Sequence, residues 1–242
     1  MSVDHPALVV IGIFLAYTVV VAALWKVNRV DYRTIADDRT AIVKGIVVPI
    51  GVGAVFLAIA VSVLGAWHDS MVETSDLAPA WVIVVPIVFG LVALLNISTI
   101  DFRFAGNALP LLLLGTLLVG FAEEMVTRGV MIVGLREQGW SELRVYLVCT
   151  ALFALLHGIN AFFGQSTKDT VQQIVMAFIA GTALYLSRMS TGSLAVGMTL
   201  HALWDFGTLG VVHTKRQQQP LAGIVALLVY AGSMVAVWFV VL

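Results

Sequence analysis

Eight long apolar runs, separated by short clusters of charge, govern what this 242-residue chain can fold into. A helix rises about 1.5 Å per residue, so about 20 mainly apolar residues cross the hydrocarbon core of a bilayer. Such runs fall at 7–27, 42–67, 80–97, 108–135, 143–163, 171–186, 194–212 and 221–241. With 60% of residues hydrophobic and 11% charged, the chain is too apolar for a water-facing surface of this size. The predicted fold is all-α, a polytopic transmembrane bundle of about eight helices.

Charge sets the expected orientation. Thirteen Lys and Arg nearly balance fourteen Asp and Glu, so no basic patch points to nucleic acid. Nine of the thirteen cations lie at or in the first, third, fifth and seventh loops, five of them between Lys26 and Lys44. Arg136, Arg144 and Arg188 fall to the other loops. The positive-inside rule then makes the odd loops cytoplasmic and puts both termini outside. The first run follows Asp4 and His5 rather than a basic segment, which reads as a retained anchor rather than a signal peptide. The stretches 36–40 and 68–77 read as solvated loops, and Trp67, Trp81 and Trp140 as headgroup-level rings at span ends. The lone Cys149 reads as a small core residue.

Against that background, a few polar residues are out of place. A charged side chain at the bilayer centre costs about 2.5–3.5 kcal/mol even on lenient scales, so it must be paired, solvated or functional. The fourth run carries Glu123, Glu124 and Arg128. Glu124 and Arg128, four residues apart, share a helical face and can pair, whereas Glu123 points about 100° away and needs a cavity or another helix. The fifth run supplies Phe153 and His157, and the seventh His201 and Asp205, again four apart. Of five histidines, only His157 and His201 lie within runs, at depths that let both meet Glu123. Taken singly, each pair could be a structural bridge between helices; their joint occurrence on three helices points to a site.

The order Glu-Glu-x-x-x-Arg at 123–128, Phe-x-x-x-His at 153–157 and His-x-x-x-Asp at 201–205 resembles the CPBP family. That family comprises CAAX prenyl proteases of the Ras-converting type and bacteriocin-processing or immunity (Abi) membrane proteins. The resemblance divides the chain into N-terminal spans without a motif (1–106), a catalytic core (107–212) and a last span (213–242). It implies an intramembrane endopeptidase in which Glu123, with His157, activates a water. His201 and Asp205 would then stabilise the oxyanion, while Glu124, Arg128 and Phe153 support the site. Prenyl-protease members typically carry Asn where this chain has Asp205, and an ionised carboxylate cannot donate a hydrogen bond to an oxyanion.

No cofactor is favoured. A zinc ion is the alternative, with Glu123, His157 and His201 as its ligands, although no His-Glu-x-x-His helix occurs. The expected partners are membrane lipids and a membrane-associated peptide or protein substrate, prenylated or not, with no nucleic acid. The expected location is a bacterial plasma membrane. A second reading is a non-proteolytic transporter or a bacteriocin-immunity-type binding protein using the same polar cavity, because intramembrane charges also mark ion paths.

Overall fold

A computed structural model of the chain describes residues 3–102, 106–214 and 220–242. Among these, eight helices are long and apolar enough to cross a membrane. They are α1 (Pro6–Asn28), α2 (Arg39–Val63), α3 (Ala80–Ile97), α4 (Leu109–Glu137), α5 (Glu142–Phe163), α6 (Thr167–Thr191), α7 (Leu194–His213) and α8 (Gly223–Val241). Among the described residues no strand forms, and only one isolated antiparallel bridge, Val72 with Ser193, lies outside the helices. The protein is an all-α polytopic bundle. Arg103, Lys215 and Arg216, which contribute to the charge asymmetry, lie outside the described residues.

Two spans differ from the sequence expectation for local reasons. The second span stops at Val63 because Gly65 turns at φ +61°, and Trp67–Met71 forms a separate short helix. The sixth is longer at both ends. Its polar first turn is capped by Ser166, whose Oγ accepts from the Asp169 N–H at 3.1 Å. Its last turn runs past Arg188 to Gly192, whose left-handed conformation lets the chain enter α7 almost at once.

Two spans contain a π-helical turn, Val43–Val47 in α2 and Met125–Val130 in α4. Such a turn interrupts the regular i→i−4 ladder, and in a bilayer the freed backbone groups need partners inside the protein. Side chains meet that need in both places. Trp25 Nε1 on α1 donates to the Gly45 carbonyl at 2.7 Å. Arg188 Nη1 on α6 donates to the Arg128 carbonyl.

The central helix is α7, which packs along both α3 and α4; α5 pairs with α6, and α1 lies against α2 and the end of α4. The close approach of α4 to α7 depends on Gly120, where a Cβ would come within 2.4 Å of the Met198 carbonyl oxygen. Small residues allow such approaches where lipid-like apolarity supplies no other drive for helix association. The outer face is aliphatic, with Leu8, Val55, Leu117 and Leu228 each more than half exposed.

The loop after α2 corrects the expectation of a solvated segment at 68–77. Ser70 and Glu73 are buried, and Glu73 anchors an ion-pair network. Arg136 Nη1 reaches Glu73 Oε2 at 2.9 Å, and Arg136 Nη2 reaches Glu142 Oε1 at 2.8 Å. Arg188 Nε meets Glu73 Oε2 at 3.1 Å, while its Nη1 and Nη2 donate to the Ser70 and Asp69 carbonyls. Arg188, counted from sequence as a loop charge, is thus a buried member of the framework. Burial pushes the Glu73 carboxyl up, but the Ser75 hydroxyl and the two guanidinium groups outweigh it and hold the group below its ordinary value. In the other loop, Ala36 of 36–40 is also buried, and its carbonyl accepts from His213 Nδ1 at 2.7 Å.

Candidate active site

Glu123 and Glu124 sit midway along α4, immediately before its π-helical turn, and Arg128 lies within that turn. The two neighbouring carboxylates face different surroundings. Glu124 and Arg128 are fully buried and paired, with Arg128 Nη1 at 3.0 Å from Glu124 Oε1. The same guanidinium donates to Thr127 Oγ1 at 2.9 Å and to the Gly181 carbonyl at 3.0 Å, and its Cζ lies 3.9 Å from the centroid of the Phe153 ring. Three polar contacts and an aromatic face thus compensate a charge that lipid could not solvate.

Glu124 has a second partner that the sequence spacing did not reveal. Its Oε1 accepts from His201 Nδ1 at 3.1 Å, joining α4 to α7. The other nitrogen of that ring, Nε2, lies 3.6 Å from Asp205 Oδ2. His201 therefore stands between two carboxylates, one fully buried and one partly exposed. Gly197 lies beside this pair, where a Cβ would reach Glu124 Oε2 at an ordinary contact distance of 3.5 Å.

On α5, His157 begins the 3₁₀ turn that ends the span. Its Nδ1 lies 3.1 Å from the Phe153 carbonyl, which can only accept, so Nδ1 carries the proton and Nε2 remains an acceptor. Phe153 makes edge contacts with both imidazoles, at centroid distances of 5.3 Å to His157 and 5.5 Å to His201. Gly181 on α6 makes room for this arrangement, since a Cβ there would meet Arg128 Nη2 at 2.5 Å and Phe153 Cδ1 at 2.9 Å.

Glu123, Phe153, His157, His201 and Asp205 line one cavity of about 660 Å³ between the helices. Most of its wall is aliphatic and aromatic. Among the described residues, Glu123 Oε2 is shut off from the outer surface and has no hydrogen-bond partner. Glu123 Thr127 contact is made only through the backbone, with Thr127 Oγ1 donating to the Glu123 carbonyl at 2.5 Å. The Glu123 side chain, partly exposed overall, thus borders the cavity without a hydrogen-bond partner among the described residues.

The zinc alternative can be tested on the donor set. Among the described residues, no group of three or more His, Cys, Asp and Glu side chains is gathered closely enough to hold a metal ion. Glu123, His157 and His201 are not such a group as arranged. Cys149 is fully buried, and its thiol donates to the Tyr146 carbonyl.

Sequence reasoning missed Gly120, Gly181, Gly197 and Thr127 as parts of this site. A signal existed for two of them: Gly120 and Gly197 stand one turn before Glu124 and His201, on the same helical faces. A comparison with curated proteins found no match. Residues 105–207, the segment carrying all three motifs, match the family model described as type II CAAX prenyl endopeptidase Rce1-like.

Proposed function

We propose that this protein is an intramembrane endopeptidase that hydrolyses membrane-associated peptides, CAAX-like or other, with a water activated by Glu123 and His157. The observation that carries this reading is the Glu123 carboxylate, midway along α4 and bordering a large, mainly apolar cavity, with one buried oxygen free of any partner among the described residues. An acceptor in that position is suited to take a proton from water, and the His157 Nε2 lone pair supplies a second acceptor.

In the proposed reaction, the water oxygen attacks the scissile carbonyl carbon while one of its protons passes to Glu123. The resulting oxyanion is stabilised by the Nε2–H of His201, which exists when the ring is an imidazolium held between Glu124 and Asp205. Collapse breaks the C–N bond, and Glu123 returns its proton to the leaving amine. Asp205 then acts by orienting and charging His201 rather than as a donor, which accommodates the replacement of the usual Asn. Glu124 and Arg128 brace the ring from the other side. The protein would work in a bacterial plasma membrane with both termini outside.

The test is proteolysis of a peptide library by the purified protein in lipid vesicles, read by mass spectrometry, with and without a strong chelator. Wild type should cleave in both conditions, and Glu123→Gln in neither. Equal cleavage by Glu123→Gln and wild type would remove the catalytic assignment, and charge-dependent flux without peptide products would favour transport.

A further inference from the structure

Tyr17 belongs to α1, far from the matched segment, yet it lines the same cavity as Glu123, His157, His201 and Asp205. It is 1% exposed, and among the described residues its hydroxyl has no hydrogen-bond partner. The ring is seated on α2 at Gly53, where a Cβ would come within 2.6 Å of Tyr17 Cε2 and 2.9 Å of Cδ2. Two turns along α1, the bond from Trp25 to the Gly45 carbonyl fixes the same pair of helices. A buried hydroxyl without a partner is a net cost to folding that a phenylalanine would avoid. An arrangement that holds such a group in place therefore calls for a ligand atom to receive its proton.

The donors around the cavity show which atom that is. Glu123 and Asp205, when ionised, only accept. His157 Nδ1 is engaged by the Phe153 carbonyl and His201 Nδ1 by Glu124. Of the catalytic set itself, that leaves the single Nε2–H of His201, itself drawn towards Asp205, for an oxyanion that hydrolytic sites commonly hold with two donors. An Asn in place of Asp205 would have supplied the second; Asp205 does not.

We propose that Tyr17 is a catalytic residue whose hydroxyl donates a hydrogen bond to the scissile carbonyl oxygen, and more strongly to the oxyanion formed from it. This rests on the endopeptidase reading above. The phenolic proton stays on its oxygen throughout, and no bond to the ring forms or breaks. The substrate's reacting carbonyl is thereby placed on the side of the cavity formed by α1, with the activated water approaching from α4 and α5.

The experiment compares wild type, Tyr17→Phe, Thr208→Val and Glu123→Gln as full chains in lipid vesicles, using the library peptide that wild type cleaves best. Thr208 is included because it too lines this cavity and its buried hydroxyl has no partner among the described residues. Tyr17→Phe keeps the ring on Gly53 and should lower kcat about 100-fold. KM should stay within about twofold, as expected when an interaction made mainly in the transition state is removed. Its melting temperature should be unchanged or higher. Wild-type turnover by Tyr17→Phe, while Glu123→Gln is dead, would overturn the role of Tyr17 and leave the endopeptidase reading standing. So would a kcat loss found in Thr208→Val alone, or one in Tyr17→Phe that tracks a lowered melting temperature. Equal cleavage by Glu123→Gln and wild type would overturn both.

Discussion

A single oxygen, Oε1 of Glu124, lies 3.0 Å from Arg128 Nη1 and 3.1 Å from His201 Nδ1, so the ion pair within α4 also aims the imidazole of α7. Removing one partner of a fully buried pair leaves a charge with no solvent to receive it, at a cost of about 3–5 kcal/mol. Glu124→Gln should therefore lower stability by an amount of that order, measured by unfolding in detergent. Arg128→Met combined with Glu124→Gln should be less destabilising than the sum of the two single changes, because the double variant strands neither charge. Additive single effects would show that the pair is not coupled.

The Arg128 guanidinium is also held from below by α6. Its Nη2 donates to the Gly181 carbonyl at 3.0 Å, and a methyl group at position 181 would intrude on both that nitrogen and the Phe153 ring. Gly181→Ala should displace the ring that contacts both His157 and His201 and reduce peptide cleavage at least about tenfold, since small displacements of reacting groups are costly. Gly12→Ala is the control, because nothing lies within 4 Å of the added methyl there. Equal activity in the two variants would mean that the packing beneath Arg128 does not position the site.

The sequence carries the spans and the local pairs well because both are short-range properties. Apolar runs report span lengths, and spacing by four brings Glu124 to Arg128 and His201 to Asp205 whatever the neighbours do. The contact between Glu124 and His201 was not legible, since it depends on how α4 and α7 turn towards each other. The π-helical turn at Met125–Val130 changes the facing of every residue after it, and no simple periodicity announces it. Arg188 shows the same limit: its partner Glu73 is 115 residues away, in a segment whose polar composition suggested solvent. Buried ion networks look like loop charges until the helices that enclose them are placed.

That network gives a pH dependence with a definite sign. Glu73 lies outside the spans, and its folded-state carboxyl is held below the ordinary value of 4.5. A group depressed on folding contributes stability that is fully present above its unfolded value and is lost as pH falls through the folded one. Thermal unfolding in detergent between about pH 7 and pH 3 should show wild type losing stability at the acid end. Glu73→Gln should start lower and lose less over that range. Parallel curves for the two proteins would remove Glu73 as the source.

Orientation can be settled by labelling, because the charge asymmetry makes a specific prediction. Lys26, Arg29, Arg33, Arg39 and Lys44 lie at or between the ends of α1 and α2, against Arg136, Arg144 and Arg188 on the opposite side. The excess of Lys and Arg is therefore on the side of the first loop, which the positive-inside rule assigns to the cytoplasm. The chain's own Cys149 is buried and should not react with a membrane-impermeant maleimide. Asp37→Cys and Asp76→Cys place a thiol at exposed positions in the first and second loops. In intact cells Asp76→Cys should label and Asp37→Cys should not, with both labelling after permeabilisation. The reverse pattern would turn the protein over in the membrane, placing the Glu73 network inside and the α1–α2 loop outside.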